Sequence, residues 1–423
     1  MSMEHTLEFL KQNKTWLNEF CSQADSIREK WAPPFYLFNG NQARSNIREL
    51  RQKLGGGRLR LAYTMKTNPW LAHVVADEAD YLEVCSEGEL NLCISCGISS
   101  KKIVLDGVWR SDSLVHKALE RQVARFCIDS VDQMKQLLKI HCGKQTLSIL
   151  LRVSNGNRFG LDRAEVKTCL HLCEHRNDIK IVGIQYYPGT QRCSGHKVQQ
   201  ELSCLSQWLD FLAASGETHI QEILFGAGIG IPYFMGEEED AYFEAFQQCA
   251  DFIKKLNKRY LITYEAGRAV AASSGIYVTE VFGQKRREDK NILFCRGGTN
   301  HIQYHGGILG LRSPKIEALY ARTSGKERPY TICGSLCSED DILAKDVLLD
   351  EQIAPKDLLI FCCAGAYAPV IAPVLFLMME MPHILMYNQS GNSRLNATNI
   401  YCMRGVGPAY RMFDDRGVEQ SGS

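Results

Sequence analysis

Apolar and polar positions follow one another along most of the chain in a pattern that predicts strands and helices in turn. Segments with apolar residues at helical spacing recur at 42–53, 113–121, 131–141, 164–175, 199–214 and 241–256. Short apolar runs typical of buried strands lie between them, at 61–65, 81–84, 103–105, 124–128, 147–153, 179–186, 222–225 and 260–264. Eight strands alternating with helices predict an α/β fold, a (β/α)8 TIM-like barrel.

The pattern changes after residue 275, where short β-type runs follow one another without long helices between them. These runs are 276–282, 291–295, 330–333 and 358–361. They predict a C-terminal all-β domain. We therefore expect four parts: an N-terminal helix and strand that pack on the β domain, the barrel, the β domain and a disordered tail. Their predicted ranges are 1–39, 40–275, 276–413 and 414–423.

Composition and charge narrow the range of partners and compartments. The 423 residues include 49 basic and 48 acidic ones, and the net charge is +1. No polybasic run stands out, so we expect neither nucleic acid nor a membrane surface as a partner. The N-terminus has no signal-peptide pattern, and the 17 cysteines are expected to be reduced thiols in the cytoplasm. Cys93 and Cys96 form a C-x-x-C without a second pair at zinc spacing, so no metal site is expected.

The candidate chemistry begins with a lysine at the end of the first barrel strand. Lys66 follows the apolar run 61–65 and precedes a turn at Asn68 and Pro69. Such an amine either meets water at an exposed strand end or anchors a carbonyl cofactor such as pyridoxal phosphate (PLP) covalently. This stretch alone leaves both interpretations open.

Other candidate residues fall at the same end of the predicted barrel. The chemistry of such barrels sits at the carboxyl ends of the strands, so position sets these residues apart from others of their type. Gly226 opens a Gly-x-Gly-x-Gly turn after the seventh strand, and the backbone amides of such turns bind phosphate. The residues at strand ends are Lys66, Arg152, Gln185, Gly226 and Glu265.

Several short motifs lie in order between about residues 34 and 368. They include Tyr63-x-x-Lys66-x-Asn68, the turn at Gly226, Glu265-x-Gly267-Arg268, Gly334-x-x-Cys337 and Gly365-Ala-Tyr367. Together they resemble the motifs of the fold type III PLP-dependent decarboxylases, the group of ornithine and diaminopimelate decarboxylases. The resemblance implies PLP as cofactor and a barrel followed by a β domain, as in alanine racemase and ornithine decarboxylase.

The resemblance also implies roles for single residues. Lys66 would form the Schiff base, Glu265 would pair with the pyridine nitrogen, and Arg268 would reach the phosphate. A carboxylate keeps that nitrogen protonated, so the ring accepts the electron pair left when CO₂ departs. Barrel alanine racemases have an arginine there, so Glu265 favours decarboxylation over racemisation. The cofactor ligands implied in this way are Lys66, Arg152, Gln185, Gly226, Gly228, Glu265, Gly267, Arg268 and Tyr367.

Two residues of the β domain complete the expected site. Cys337 resembles the family cysteine that reaches the neighbouring subunit's site and returns a proton to the substrate carbon. Asp341 matches an acidic position that faces the substrate in ornithine decarboxylases. The resemblance therefore implies a homodimer with shared active sites, in which Lys66 and Cys337 are the catalytic residues.

The sequence departs from the family pattern at two positions. Gln185 stands where the family has a histidine stacked on the ring, and an amide cannot carry charge. Ser338 follows the cysteine where enzymes of diamines and diaminopimelate have an acid for the distal ammonium. The flanking motifs look more like the branch that acts on conjugated amino acids in staphyloferrin-type siderophore and butirosin-type antibiotic pathways.

Four functions remain open at this stage. The favoured one is decarboxylation of an amino acid or of an amino-acid moiety in a siderophore or antibiotic intermediate. The alternatives are a decarboxylase of diaminopimelate or another diamino acid, an amino-acid racemase, and a PLP-binding homologue without turnover. Gln185 best supports the last of these, whereas Lys66 and Cys337 oppose it.

Overall fold

The computed structural model describes residues 7–56, 58–143, 145–217, 220–388, 395–404 and 411–412, and the predicted tail 414–423 lies outside these ranges. The α-helices are α1 (Lys14–Lys30), α2 (Gly40–Leu54), α3 (Ala72–Val75), α4 (Glu87–Ser95), α5 (Asp112–Glu120), α6 (Val131–Ile140), α7 (Arg163–Cys173), α8 (Gly195–Ala214), α9 (Glu239–Leu256), α10 (Arg268–Ala271) and α11 (Ala368–Ile371). No helix within the described ranges is both long and apolar enough to cross a bilayer.

The strands form one closed barrel and one open sheet. Those of the barrel are β2 (Arg60–Thr64), β3 (Tyr81–Val84), β4 (Ile103–Leu105), β5 (Arg125–Ile128), β6 (Leu147–Arg152), β7 (Ile179–Tyr186), β8 (Glu222–Phe225) and β9 (Leu261–Ala266). Those of the sheet are β1 (Phe35–Asn39), β10 (Gly275–Arg287), β11 (Lys290–Cys295), β12 (Ile316–Leu319), β13 (Glu327–Cys333), β14 (Ile342–Asp350), β15 (Leu358–Phe361), β16 (His383–Tyr387), β17 (Ile400–Arg404) and β18 (Arg411–Met412).

The barrel confirms the predicted fold class. Its eight strands are parallel and follow chain order around the ring, and β9 pairs with β2 to close it. Apolar side chains fill the interior, so the barrel is a packed core with its open end at the strand termini. These side chains are Ala62, Val104, Cys127, Leu150 and Leu224.

Short polar caps fix the loops at the open end of the barrel. Helices α4, α5 and α6 each follow a serine whose hydroxyl accepts a hydrogen bond from a backbone amide of the first turn. These serines are Ser86, Ser111 and Ser130, and a capping box between Asp162 and Glu165 starts α7. Each cap satisfies amides that the helix leaves free, so the loops that carry the site residues have defined paths.

The sheet of the β domain recruits a strand from the start of the chain. Its order is β14-β13-β11-β10-β1-β16-β17-β18, with β15 pairing to both β10 and β12. β1 runs antiparallel to β10 and parallel to β16. Helix α1 covers one face through an apolar cluster that includes Trp16, Phe20 and Phe35. The domain boundaries assigned from the sequence stay predictions.

Candidate active site

Lys66 lies in a cleft at the open end of the barrel and has an acidic partner. It follows β2 in a 3₁₀ turn, Met65–Thr67, and its Nζ lies 2.8 Å from Oε1 of the fully buried Glu83. Its side chain keeps 41% of its surface exposed to the open cleft. Desolvation lowers the pKa of Lys66, but Glu83, Cys85 and Asp106 outweigh it and raise that pKa well above the usual value. The amine is thus held among acids at a strand end.

Gln185 joins two further acids across the barrel mouth. Its Nε2 donates to Glu265 Oε1 at 2.7 Å and to Asp106 Oδ2 at 3.1 Å. The side-chain oxygen of Gln185 is buried and has no hydrogen-bond partner among the described residues. Glu83 Oε2 and Asp106 Oδ1 are also buried and have no hydrogen-bond partner among the described residues. Three unsatisfied acceptors at one cleft call for a ligand that brings hydrogen-bond donors.

The two acids bound by Gln185 differ in their proton affinity. Burial raises the pKa of Glu265 well above its usual range, and the nearby Glu83 adds to this. Burial also opposes ionisation of Asp106, but Lys66 and Arg152 overcome it and lower the pKa of Asp106. The surroundings therefore favour the charged form of Asp106 and oppose that of Glu265.

Arg152, at the end of β6, lies beside these acids. Its Nη1 is 2.9 Å from Asp129 Oδ2, and its guanidinium lies 5.0 Å from the ring centroid of Phe159. Glu83, Cys85 and Asp106 have potential metal-ligand atoms within 4.8 Å of one another. The ammonium of Lys66 already serves as the cation for this group.

Arg268 lies at the other end of the cleft in a rigid frame. Its guanidinium donates to the hydroxyl of Tyr233 at 2.8 Å, to Thr190 Oγ1 at 3.0 Å and to the carbonyl of His305 at 2.9 Å. A further bond joins it to His305 Nδ1 at 2.8 Å; burial and Arg268 lower the pKa of His305, so the ring is a neutral acceptor. The ring of Tyr367 lies 4.7 Å from that of His305. Thr190, Tyr233 and His305 have no motif in the sequence that could have identified them.

Glycines allow the backbone segments near Arg268 to approach their neighbours closely. A Cβ on Gly228 would lie 1.8 Å from the carbonyl oxygen of Gly189, and one on Gly267 would lie 2.2 Å from Thr64 Oγ1 and Thr67 Oγ1. Gly228 also has φ +62°, in the left-handed region. Backbone and guanidinium donors around such a space suit a phosphate.

A loop of the β domain closes this end of the cleft. The amide of Tyr367 donates to the carbonyl of Thr67 at 2.8 Å, and Asn68 Nδ2 donates to the carbonyl of Gly365 at 2.8 Å. Tyr367 has φ +65°, a strained conformation that these contacts hold in place. Its side chain lines the same cavity as Lys66 and Arg268.

The other two predicted residues lie apart from the cleft. Cys337 is exposed on the loop after β13, and neither it nor Asp341 lines the cavities around Lys66. Asp341 is buried; its Oδ1 accepts from the amide of Thr299 and its Oδ2 from that of Leu336, both at 2.8 Å. Its carboxylate thus braces the loop that carries Cys337. A role of Asp341 in substrate binding stays a prediction.

Two adjoining cavities share Lys66, Tyr187 and Glu265 in their linings. An amine, a buried acid that lines the same cavities and a glycine-lined arginine pocket together fit PLP, whose aldehyde, ring nitrogen and phosphate need those partners. The first cavity holds the phosphate-type donors, and the second holds the acceptors described above. A closed barrel with this site defines the class of PLP-binding barrels.

The chain belongs to the pyridoxal-dependent decarboxylase family. The model of that family's pyridoxal-binding domain matches residues 41–272, which is more than half of the chain. The chain is a PLP-dependent decarboxylase, a carboxy-lyase, as the motifs predicted.

Two curated relatives illustrate the range of that family. The chain is 24% identical over 381 residues to the L-glutamyl-[BtrI acyl-carrier protein] decarboxylase of Niallia circulans. The aligned region covers 84% of this chain and 89% of that protein. The chain is 25% identical over 373 residues to the diaminopimelate decarboxylase of Staphylococcus aureus, which covers 81% and 86%. The name of the first gives a glutamyl group on an acyl-carrier protein as its substrate, and the name of the second gives diaminopimelate.

Solved structures share the fold. Diaminopimelate decarboxylase from M. jannaschii, in complex with L-lysine, superposes with a TM-score of 0.74 at 19% identity, over 90% of this chain and 91% of that one. Lysine/ornithine decarboxylase from Vibrio vulnificus, in complex with putrescine, gives 0.74 at 18% identity, over 86% and 97%.

Proposed function

We propose that this PLP-dependent decarboxylase acts on an amino-acid moiety held in a larger, conjugated biosynthetic intermediate. The observation that carries the substrate proposal is Ser338, which follows Cys337 and offers no carboxylate for a distal ammonium. The similarity to a decarboxylase of a carrier-bound glutamyl group supports it. Siderophore and antibiotic pathways are the settings in which such intermediates occur.

The residues of the cleft divide the work. PLP, when bound, supplies the electron sink for the pair left by the breaking carbon–carboxylate bond. Lys66 would hold the cofactor and, when not bonded to it, would exchange protons with Glu83. Glu265 would pair with the ring nitrogen. Arg268 and the glycine turns would hold the phosphate, and Gln185 would lie beside the ring. Arg152 favours the charged form of Asp106.

A proton must then return to the substrate carbon, and we assign this step to Cys337 of a second copy of the chain. Within one chain Cys337 is exposed and lies outside the cleft. A two-fold homodimer would place it opposite Lys66 of the other copy and would bury it there. The thiol gives its proton to the carbon and regains one from solvent.

An exposed apolar segment supports the homodimer. Residues 370–381, here called the apolar strap, include Leu375 and Met378, which are 78% and 85% exposed. The strap starts beside Tyr367, and near its end the carbonyl of Glu380 accepts from Nε2 of His301 at 2.8 Å. Monomers rarely expose so many large apolar side chains in one stretch, so a second copy is the expected cover.

Borohydride reduction of the PLP-loaded protein tests the cofactor site directly. We expect the mass of the reduced cofactor on the peptide that contains Lys66. A label on a different lysine, or none in PLP-saturated protein, would refute the assignment of Lys66.

CO₂ release from a substrate panel tests the function. We expect faster release from amino acids linked through the side-chain carboxyl to a pantetheine thioester than from free glutamate or meso-diaminopimelate. Faster release from diaminopimelate would favour the diamino-acid alternative. Exchange of the α-hydrogen without release of CO₂ would favour a racemase. The absence of both reactions would favour a PLP-binding protein without turnover.

Subunit mixing tests the shared site. Lys66→Ala and Cys337→Ala homodimers should each be nearly inactive, and mixing them with subunit exchange should restore about a quarter of wild-type activity. The symmetry argument is that half of the dimers are mixed and each has one intact site of two. If Cys337 serves its own chain, every site carries one lesion and activity does not return despite exchange.

The compartment follows from the thiols as a proposal. Buried cysteines such as Cys93 and Cys249 are thiols that form no disulfide. A reducing cytoplasm keeps thiols in that state, so we place the protein there. Fractionation of cells that express the chain would check this, and recovery in a secreted or periplasmic fraction would contradict it.

A further inference from the structure

Asp106 has no part in the motifs of the sequence, yet it lies inside the site. It follows β4, whereas Gln185 lies in β7 on a different side of the barrel mouth. Asp106 is only 3% exposed, and its Oδ2 accepts from Gln185 Nε2 at 3.1 Å. Its Oδ1 is buried without a hydrogen-bond partner among the described residues. A buried, half-satisfied carboxylate is costly, so its presence needs a reason.

The amide of Gln185 supplies that reason. An amide nitrogen has two hydrogens, and here one points to Asp106 and the other to Glu265 at 2.7 Å. Turning the amide over would place its oxygen against the carboxylate of Asp106, which has no proton to donate. The two acids therefore fix the plane of the amide, and Asp106 fixes the direction of its oxygen, which is buried without a partner among the described residues.

Asp106 is suited to this task because it stays charged. Burial alone would favour its neutral form, but Lys66 and Arg152 keep its pKa below the usual value. A charged acceptor holds an amide N–H more strongly than a neutral one. The charged groups that face Asp106 from the neighbouring strands and loops are Lys66, Glu83, Arg110, Arg152 and Glu265.

We propose that Asp106 is a positioning residue, which together with Glu265 holds the Gln185 amide in one orientation at the barrel mouth, beside the position that the cofactor ring would take. The inference rests on the proposed PLP site. In this proposal the neutral side chain of Gln185 has a fixed orientation because two acids hold it. Without them the glutamine amide would be free to rotate. Asp106 acts through Gln185 and is not expected to touch the substrate.

A double-mutant cycle tests this coupling. Asp106→Ala and Gln185→Leu should each weaken PLP binding to the apoprotein about tenfold, the loss expected for a hydrogen bond to a charged group. The double variant should bind PLP no worse than Gln185→Leu, because the clamp has nothing left to hold. The visible band of the bound cofactor should shift equally in all three variants. Effects that multiply in the double variant would overturn the proposal.

Two further variants separate orientation from charge and from general damage. Asp106→Asn keeps an acceptor for Gln185 and should bind PLP within about threefold of wild type; a loss as large as that of Asp106→Ala would overturn the clamp. Asp129→Asn changes a buried acid of the same mouth that pairs with Arg152 instead. Its effect should multiply with that of Gln185→Leu, and non-additivity there would also overturn the specific coupling.

Labelling keeps the two proposals apart. If wild-type protein takes up the borohydride label on Lys66 but the cycle is additive, only the role of Asp106 fails. If wild type takes up no label there, the PLP assignment itself fails. Melting curves of each apoprotein identify unfolded variants. If Asp106→Ala does not fold, Asp106→Asn replaces it in the test. The expected result is then PLP binding close to wild type in Asp106→Asn and a tenfold loss of PLP affinity in Gln185→Leu. Any other pattern overturns the proposal.

Discussion

Gly228→Ala should weaken PLP binding far more than it weakens the fold. The new Cβ would lie 1.8 Å from the carbonyl oxygen of Gly189, so the two loops must separate by roughly 1.5 Å to reach ordinary contact. They cannot separate freely, because the amide of Arg192 donates to the carbonyl of Gly228 at 2.9 Å and that of Gly230 to the carbonyl of Arg192 at 2.8 Å. The turn therefore moves away from the phosphate position.

The size of the effect follows from the hydrogen bonds that the displaced turn can no longer donate to the phosphate. One charge-assisted hydrogen bond to a phosphate contributes about 1.5–3 kcal/mol, which corresponds to a roughly 10- to 150-fold weaker affinity for PLP. The left-handed backbone at φ +62° adds about 1–2 kcal/mol of strain to the folded state. PLP titration of the apoprotein, followed by absorbance, measures the first quantity, and chemical denaturation measures the second.

Gly97→Ala is the matched control. Gly97 has φ +68° and no atom within 4 Å of a Cβ, and it lies between α4 and β4, at the end of the barrel opposite the cleft. It should show the strain without the loss of affinity. If Gly228→Ala binds PLP within threefold of wild type while Gly97→Ala behaves as expected, the glycine turn does not hold the phosphate.

Three further predictions concern acids and a histidine. Glu265→Gln should retain PLP but lose at least about 100-fold in CO₂ release at saturating PLP, because the ring nitrogen loses its charged partner; near-normal turnover would remove Glu265 from the ring. Asp341→Ala should cost about 2–5 kcal/mol of unfolding free energy, because it leaves the amides of Thr299 and Leu336 unsatisfied, and should leave PLP affinity unchanged. Burial lowers the pKa of His73 to about 4. The contribution of neutral His73 to the unfolding free energy is therefore complete above the unfolded pKa near 6.5 and is lost as pH falls towards 4, by up to about 3 kcal/mol. In urea titrations at several pH values, His73→Gln should reduce this dependence of the unfolding free energy on pH.

The barrel could be predicted closely from the sequence because its strands are short apolar runs between clear helices. Four strands have the predicted bounds, for example Ile179–Tyr186, and the others differ by at most two residues at either end. The βα alternation also fixed which end of each strand carries chemistry, so Lys66, Gln185 and Glu265 could be placed at one mouth.

The β domain was less visible in the sequence. β14 reads Ile-Leu-Ala-Lys-Asp-Val-Leu-Leu-Asp, in which exposed and buried positions do not alternate strictly because the strand shifts register against β13. β12 and β16 are short, and β12 pairs with β15 while β16 pairs with β1 near the start of the chain. Periodicity detects local pattern, and here the pairing is set by contacts far apart in the chain.

Contacts across the mouth were also beyond the sequence. Asp106 and Gln185 are 79 residues apart, and nothing in their motifs indicates that one side chain reaches the other. The frame of Arg268 has the same origin, because Thr190 and His305 come from loops on two different parts of the chain. Strand ends define a rim, but the loops decide which residues meet across it.

The position of β1 in the sheet limits when the β domain can fold during synthesis of the chain. Phe35–Asn39 leaves the ribosome long before either of its neighbours, because β10 begins at Gly275 and β16 at His383. All five residues of β1 are buried in the finished sheet, so a largely apolar strand must wait through the synthesis of the entire barrel. During that interval it is an unpaired edge of the kind that chaperones cover. The sheet around β1 can therefore form completely only after β16 has been synthesised.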